Sequence, residues 1–217
     1  MNTCEPMVYL VDDDPGVLKA MTRLLEAEGM AVSAFSSADS FLRAHDPLAS
    51  GCAVVDVCMP GVGGLALQQE LQRGGVTRAI VFVTGHGDVE QGVRAMKAGA
   101  VDFLTKPFDA ADFVGAVRRA LAHDRHERAV RSELQRIRSH LDSLTRRERQ
   151  VVRHVVAGRL NKQIASDLGI AEKTIKVHRA RAMEKMGVGS LAQLVREVVE
   201  VEAGAVIESA PAELRSG

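Results

Sequence analysis

Four short polar segments, far apart in the chain, carry between them the groups that a phosphoryl-transfer site requires. Each closely follows an apolar run, and their chemistry-bearing residues are Asp12 with Asp13, Asp56, Thr84 and Lys106. A carboxylate can accept a phosphoryl group to form an acyl phosphate, a hydroxyl can hydrogen-bond a phosphoryl oxygen, and an ammonium group supplies fixed positive charge. If the segments meet in the fold, the sequence predicts a site that takes up a phosphoryl group.

The clustered carboxylates also predict a divalent cation. Two like charges about 4 Å apart repel by about 4 kcal/mol at an effective dielectric constant near 20, so Asp12, Asp13 and Asp56 need a counter-charge. Mg²⁺ prefers oxygen ligands and is often held by one or two carboxylates together with a phosphate. We therefore expect Mg²⁺, or Mn²⁺ in its place, at this cluster.

The elements that must position these segments alternate between strand and helix. Candidate strands cover residues 7–11, 31–35, 52–56, 79–84 and 101–104, and stretches with helical spacing of apolar residues separate them. This alternation is typical of βαβ units and predicts a doubly wound α/β fold with a five-stranded parallel sheet. Ligand sites in such folds gather at the carboxyl edge of the sheet, where all four polar segments would lie.

The second part of the chain is predicted to be all-α and basic. Thr145 and Glu148 form a capping-box pattern, and four helices are expected between residues 145 and 202. Residues 1–122 hold ten Lys and Arg against fifteen Asp and Glu, whereas residues 142–188 hold eleven against five. The asymmetry predicts separate roles for the two parts and a polyanionic partner for the second.

Between the two parts, residues 123–142 are predicted to form a linker helix. An apolar seam runs along it and recurs at spacings of four and three residues: Val130, Leu134, Ile137, Leu141 and Leu144. The seam is only two heptads long. A solvated helix with one packed stripe and a short coiled-coil dimer contact are both compatible with it.

Cysteine usage and hydropathy bear on the compartment. The three cysteines, Cys4, Cys52 and Cys58, are odd in number and lack metal-binding spacing, which favours a reducing environment. No apolar run reaches the length of a membrane span, and the N-terminus lacks the pattern of a secretion signal. We expect a soluble cytoplasmic protein without membrane contact.

The polar segments resemble those of the receiver domain of bacterial response regulators. The matching motifs are Val11-Asp12-Asp13-Asp14, Asp56-Val57-Cys58-Met59-Pro60, Thr84-Gly85-His86-Gly87-Asp88 and Lys106-Pro107-Phe108, of which the third is similar to the FixJ branch. The resemblance implies a CheY-like sheet of order 2-1-3-4-5 and a partner histidine kinase as phosphoryl donor.

The resemblance also implies a role for each matched residue. The expected metal ligands are Asp12, Asp13, Asp56 and the backbone carbonyl of Cys58. The residues expected to take up or sense the phosphoryl group are Asp56 as phosphoacceptor, Thr84 and Lys106 as its contacts, and Phe103 as an aromatic switch residue.

Three neighbouring positions are less specific. Cys58 departs from the family pattern, in which a long or polar side chain is expected, and a space-filling role is preferred over that of a redox-sensing thiol. His86 fits a solvated loop better than a ligand position. Pro107 stands where a cis peptide bond can form.

Residues 143–202 resemble the LuxR-type helix-turn-helix, most specifically in Thr174-Ile175-Lys176-Val177-His178 and Lys185-Met186-Gly187. In the helix over residues 172–186, one stripe suits a core, namely Ile175, His178, Ala182 and Met186. The cationic stripe suits a major groove. The predicted DNA contacts are Lys162, Lys173, Thr174, Lys176, Val177, Arg179, Ala180 and Arg181. Lys176 is expected to reach guanine and Val177 a thymine methyl.

These patterns predict a two-component response regulator, not an enzyme. The expected parts are a receiver domain (1–122), a linker helix (123–142), a four-helix LuxR-type domain (143–203) and a flexible tail (204–217). Phosphorylation of Asp56 would be followed by homodimerisation and binding to double-stranded promoter DNA, with RNA polymerase as a further candidate partner.

Two alternatives belong to other classes. A Mg²⁺ phosphohydrolase of the haloacid dehalogenase type needs two aspartates separated by one residue at the first strand. Asp12 and Asp14 imitate this spacing, but such an enzyme leaves the basic helices unexplained. A regulator that works without phosphate would use the receiver as a fixed dimerisation module.

Overall fold

The computed structural model describes residues 5–85 and 89–209. The chain divides into two compact units, one reaching Arg128 and the other beginning at Ala129. Among the described residues, the first unit contains the parallel strands β1 (Met7–Val11), β2 (Ala31–Phe35), β3 (Gly51–Asp56), β4 (Ala79–Thr84) and β5 (Asp102–Thr105). Their order, β2-β1-β3-β4-β5, confirms the predicted topology.

Helices cover both faces of this sheet. They are α1 (Pro15–Ala27), α2 (Ala38–Ala44), α3 (Gly64–Arg73), α4 (Val89–Lys97) and the first half of α5 (Ala110–Asp142). Because alternate residues of a strand face opposite sides, Leu10 and Val54 join one apolar cluster while Val11 and Val55 join the other. β3 and β4 are buried along their whole length, which explains why they lack polar side chains until their last residues.

The second unit is helical. After the end of α5 come α6 (Arg146–Val156), α7 (Asn161–Leu168), α8 (Glu172–Met186) and α9 (Leu191–Ser209). Thr145 and Glu148 form the predicted capping box at the start of α6. A single apolar cluster fills the unit, with contributions from every one of these helices, among them Val151, Ile164, Ile175 and Leu194.

The apolar seam of the linker helix packs inside this second unit. Ile137 is fully buried and Leu144 is 5% exposed, and both belong to the core cluster, against which Leu141 also packs. Val130, one heptad before Ile137, is 44% exposed. The packed-stripe alternative therefore describes the second half of the seam, whose apolar side chains are already covered by α6–α9.

Two helices differ in length from the prediction. The linker residues 123–142 are the second half of the unbroken helix α5. The last helix was expected to end at 202 with a flexible tail from 204, but α9 continues to Ser209, because residues 205–208 are all compatible with a helix and the first proline comes only at position 211. Neither α5, α9 nor any other described helix is long and apolar enough to cross a membrane.

Candidate phosphoryl-acceptor site and nucleic-acid interface

The three carboxylates predicted to cluster lie together at the carboxyl edge of the sheet. β1 pairs directly with β3, and Val11 is in register with Val55, so the residues that follow, Asp12 and Asp56, stand side by side. One oxygen from each of Asp12, Asp13 and Asp56 lies within 4.8 Å of the others. Asp12 and Asp56 are almost completely buried, at 1% and 6% exposure, while Asp13 is exposed.

Lys106 reaches this cluster from the end of β5. Its Nζ lies 2.6 Å from Oδ2 of Asp12 and 3.7 Å from Oδ1 of Asp56. The backbone N–H of Lys106 donates to the carbonyl of Thr84 at 2.7 Å, which fixes the end of β5 to the end of β4. The peptide bond from Lys106 to Pro107 is cis.

Burial makes ionisation of Asp56 costly. Removal from water raises the pKa of Asp56, and the negative charges of Asp12 and Asp13 add to this effect. The Lys106 ammonium and the backbone N–H of Cys58 act in the opposite direction and lower the pKa. Oδ1 of Asp56 is buried without a hydrogen-bond partner in the part of the chain that the structure describes. This oxygen faces the cluster with spare capacity for a cation or an electrophile.

Two residues from neighbouring elements, Thr84 and Gly64, lie close to Asp56. Thr84 ends β4, is fully buried and comes one residue after Val83, the register partner of Asp56. At Gly64, the first residue of α3, an added Cβ would lie 2.4 Å from the carbonyl oxygen of Asp56, so only glycine allows α3 to begin this close to the site.

Phe103 and Cys58 occupy different surroundings. The half-buried ring of Phe103 packs with the apolar cluster that contains Phe82 and faces Gly92 of α4. The aromatic residue therefore lies between the sheet and α4. The Cys58 thiol is exposed, whereas burial raises the pKa of the Cys52 thiol to about 12 and keeps that thiol protonated. His86 lies outside the described residues, as does Cys4.

The donor set suits Mg²⁺. Its members are hard carboxylate oxygens, which Mg²⁺ prefers, and Asp13 is open to water, which Mg²⁺ retains in its coordination shell. The unpartnered Oδ1 of Asp56 is a buried acceptor of the kind that a cation would satisfy. The residues present therefore fit a divalent ion.

Asp14, which the phosphohydrolase alternative would use in catalysis, has another role. Its carboxylate accepts hydrogen bonds from the backbone N–H groups of Gly16 at 2.7 Å and Val17 at 3.2 Å. Asp14 is therefore the N-cap of α1, and it is not a member of the acidic cluster.

The second unit contains a helix-turn-helix formed by α7 and α8. Gly169, with a left-handed φ of 65°, ends α7, and α8 buries Ile175, Ala182 and Met186 against the core, as predicted. His178, expected on the same stripe, is only half-buried.

The predicted DNA contacts lie mainly on the surface of this helix pair. The exposed ones are Lys162, Lys173, Thr174, Lys176, Val177, Ala180 and Arg181. Arg179 is half-buried, and its Nη1 donates to Oδ1 of Asn161 at 3.4 Å. Nζ of Lys176 also lies 3.5 Å from Oε1 of Glu172. Both side chains are largely exposed, so water screens this ion pair strongly.

Sequence reasoning missed one polar cluster at the opposite edge of the sheet. Asp124 and Arg128 belong to the predicted linker, yet Asp124 is 4% exposed and is paired with Arg128 at 2.9 Å. Their spacing of four residues is the only signal in the sequence, and the same spacing is common on solvated helices.

Comparison with known proteins agrees with both units. Residues 8–118 match the family described as response regulator receiver domain, and residues 142–198 match bacterial regulatory proteins of the luxR family. The chain is 44% identical over 196 residues to the response regulator protein TmoT of Ectopseudomonas mendocina, covering 90% of this chain and 89% of that protein. It is 45% identical over 189 residues to the transcriptional regulatory protein FixJ of Azorhizobium caulinodans, covering 87% and 90%.

Solved structures give the same result. The response regulator StyR superposes with a TM-score of 0.82 at 42% identity, over 91% of this chain and 100% of that one. These relatives are a response regulator and a transcriptional regulatory protein rather than enzymes, and both units match regulator families, which contradicts the phosphohydrolase alternative. The chain belongs to the two-component response regulators that join a receiver domain to a LuxR-type DNA-binding domain and regulate transcription.

Proposed function

We propose that a histidine kinase phosphorylates this regulator on Asp56, and that the phosphorylated chain dimerises and binds promoter DNA. The metal ligands in this proposal are Asp12, Asp13, Asp56 and the backbone carbonyl of Cys58. The observation that carries the proposal is the buried Oδ1 of Asp56, which lacks a hydrogen-bond partner among the described residues and lies 3.7 Å from the Lys106 ammonium.

In the proposed reaction, a carboxylate oxygen of Asp56 attacks the phosphorus of a phosphohistidine. A new O–P bond forms, the N–P bond of the donor breaks, and the released imidazole retains the electron pair. Mg²⁺, when bound, neutralises charge on the phosphoryl oxygens. Lys106 supplies a second positive charge beside the acceptor, and the hydroxyl of Thr84 donates a hydrogen bond to a phosphoryl oxygen.

The response would begin at the end of β4. Movement of Thr84 toward the phosphoryl group leaves space for Phe103, which now lies between the sheet and α4, and so alters the α4 surface. Changing such an equilibrium from 1:99 to 99:1 requires about 5.5 kcal/mol of differential stabilisation. Charge-assisted hydrogen bonds to a dianion contribute about 1.5–3 kcal/mol each, so a few new contacts suffice.

The output would be binding of two copies to paired half-sites. In each copy the exposed stripe of α8 enters a major groove, with Lys176 and Val177 facing base edges. Lys162, Thr174 and Arg179 face phosphates, which position the domain without reading sequence. RNA polymerase is a candidate partner at the bound promoter.

The proposal is tested by comparing Asp56→Asn with Asp39→Asn, which changes an exposed carboxylate in α2. Each variant is incubated with Mg²⁺ and acetyl phosphate, and phosphate uptake, sedimentation and binding to DNA selected from a random library are measured. We expect uptake, dimerisation and tighter DNA binding in the wild type and in Asp39→Asn, and none of these in Asp56→Asn.

Two results would overturn the proposal. Phosphate uptake by Asp56→Asn at the wild-type rate would remove the acceptor assignment. Equal DNA affinity of the wild type with and without phosphate would instead favour a regulator whose receiver is a fixed dimerisation module.

A further inference from the structure

Asp124 and Arg128, in the middle of α5 and within the first unit, form an ion pair whose acidic member is buried. Nε of Arg128 donates to both carboxylate oxygens of Asp124, at 3.0 Å and 2.9 Å. Asp124 is 4% exposed, unlike the solvated pairs that normally occupy such a spacing on a helix. The matched receiver family ends at residue 118, so this pair lies beyond the segment that defines a receiver domain.

Both members of the pair bind the loop between α2 and β3. Oδ2 of Asp124 accepts hydrogen bonds from the Ser50 hydroxyl and the Gly51 backbone N–H, both at 2.9 Å. The guanidinium of Arg128 donates to the carbonyl of Leu48 at 2.8 Å and to that of Ala49. The pair therefore connects the helix to a segment more than 70 residues earlier in the chain.

The loop that receives these bonds is itself held firmly. Arg78 donates to the carbonyls of Asp46 at 2.7 Å and Ala49 at 3.3 Å, and its guanidinium lies 4.7 Å above the Tyr9 ring. At Gly51, with φ of 146°, an added Cβ would lie 1.9 Å from the carbonyl oxygen of Met7. The close approach leaves the loop little freedom to move relative to β1.

The loop leads directly into the strand that carries the phosphoacceptor. β3 begins at Gly51, whose N–H is bound by Asp124, and ends at Asp56. All six residues of β3 are buried, and the strand is paired on both sides, with β1 and β4. One rigid strand thus joins the proposed phosphorylation site to the point where the helix is fixed.

We infer that Asp124 and Arg128 are positioning residues that clamp the helix leading to the DNA-binding unit, and that phosphorylation changes DNA binding only while this clamp holds. The inference rests on the proposed function. The clamp holds residues 124–128 of α5 against the α2–β3 loop, and its loss would free this stretch of the helix from the loop. Phosphate uptake itself does not need the clamp, because Asp56 lies at the other end of β3.

Hydrogen exchange of the full-length protein tests the clamp directly. The variants are Arg128→Ala, Asp124→Asn and Arg128→Lys, which keeps the charge but cannot bridge both carbonyls; the control is Arg125→Ala, an exposed arginine of the same helix. We expect amides of residues 123–132 to exchange at least about tenfold faster in the first two variants, the factor expected from loss of one charge-assisted hydrogen bond. In Arg128→Lys these amides should exchange at a rate between those of the wild type and Arg128→Ala. Equal protection in Arg128→Ala and Arg125→Ala would overturn the clamp.

The second measurement separates the clamp from the proposed phosphorylation. For each variant, phosphate uptake from acetyl phosphate and the ratio of DNA affinities with and without phosphate are determined. We expect uptake within about twofold of the wild type in every variant, and an affinity ratio near one in Arg128→Ala but not in Arg125→Ala. If Arg128→Ala keeps the wild-type ratio of DNA affinities, the clamp inference is refuted but the proposed function is not. If the wild type takes up no phosphate, the proposed function is refuted. If Asp124→Asn fails to fold, the two Arg128 variants decide the question.

Discussion

The Nζ of Lys106 lies 1.1 Å nearer to the carboxylate of Asp12 than to that of Asp56, at 2.6 Å against 3.7 Å. The ammonium therefore neutralises a proposed metal ligand and leaves the proposed acceptor oxygen less compensated. A cation at the cluster would take over the charge of Asp12 and release Lys106 toward an incoming phosphoryl group. The position of the ammonium is thus compatible with a role that begins once the metal has bound.

Replacement of Lys106 tests this role. Lys106→Gln removes the positive charge beside Asp56, and we expect the rate of phosphate uptake with Mg²⁺ and acetyl phosphate to fall about 10²-fold, as for other lost charge-stabilising groups. Lys19→Gln, which changes an exposed lysine of α1, should leave the rate unchanged. Equal rates in the two variants would show that Lys106 does not assist phosphoryl transfer.

Removal of the metal is expected to lower stability through the acidic cluster. A ligand present at 100 times its Kd stabilises a fold by about 2.7 kcal/mol, so Mg²⁺ should raise the Tm of the wild type and EDTA should reverse the increase. Asp13→Asn removes one exposed carboxylate of the cluster and should abolish most of the increase, whereas Glu26→Gln on the exposed surface of α1 should retain it. If Mg²⁺ raised the Tm of Asp13→Asn as much as that of the wild type, Asp13 would be excluded as a metal ligand.

The sheet and its polar edge could be predicted from sequence because parallel strands buried on both faces leave a strong signal. β3 and β4 lack polar side chains until their last residues, Asp56 and Thr84, and the chemistry-bearing residues gather at the common carboxyl edge of the sheet. The clamp could not be predicted, because Asp124 and Arg128 look like any solvated pair until the α2–β3 loop is placed beside them. The seam was ambiguous for a related reason: Ile137 looks the same whether its own domain or a second copy covers it.

Two positions of the seam, seven residues apart, distinguish these possibilities. Ile137 is fully buried in the second unit and Val130 is 44% exposed. Ile137→Ala should cost about 2–5 kcal/mol of unfolding free energy, and Val130→Ala less than about 0.5 kcal/mol, as measured by chemical unfolding. Small effects of both substitutions, together with weakened dimerisation, would favour a coiled-coil contact.

The pH dependence of the second unit should reflect Glu148. Its hydrogen bond with Lys185, whose Nζ lies 2.8 Å away, lowers the pKa of Glu148 from 4.5 to about 2, and the backbone N–H of Thr145 contributes in the same direction. Because the folded-state pKa is the lower one, the stabilisation by ionised Glu148 is complete above about pH 4.5 and is lost as the pH falls toward 2.

Thermal unfolding of Glu148→Gln at two pH values checks this. The variant should have a lower Tm than the wild type at pH 7, and the difference should narrow once the pH falls below 4.5. Glu184→Gln, on the exposed side of α8, should change the Tm little at either pH. A difference that stays constant with pH would mean that Glu148 acts through packing rather than charge.

The DNA-binding surface predicts different effects for two exposed lysines. Lys162 on α7 is expected to contact phosphate, so Lys162→Ala should weaken binding to selected and scrambled DNA equally and reduce the slope of log affinity against log salt by about 1. Lys176 on α8 is expected to contact a base, so Lys176→Ala should cost about 1–3 kcal/mol on selected DNA and much less on scrambled DNA. Arg196→Ala on α9, another exposed cation, should change neither quantity. If Lys176→Ala weakened binding to both DNAs equally, Lys176 would be a phosphate contact, and sequence recognition would have to come from other residues of α8.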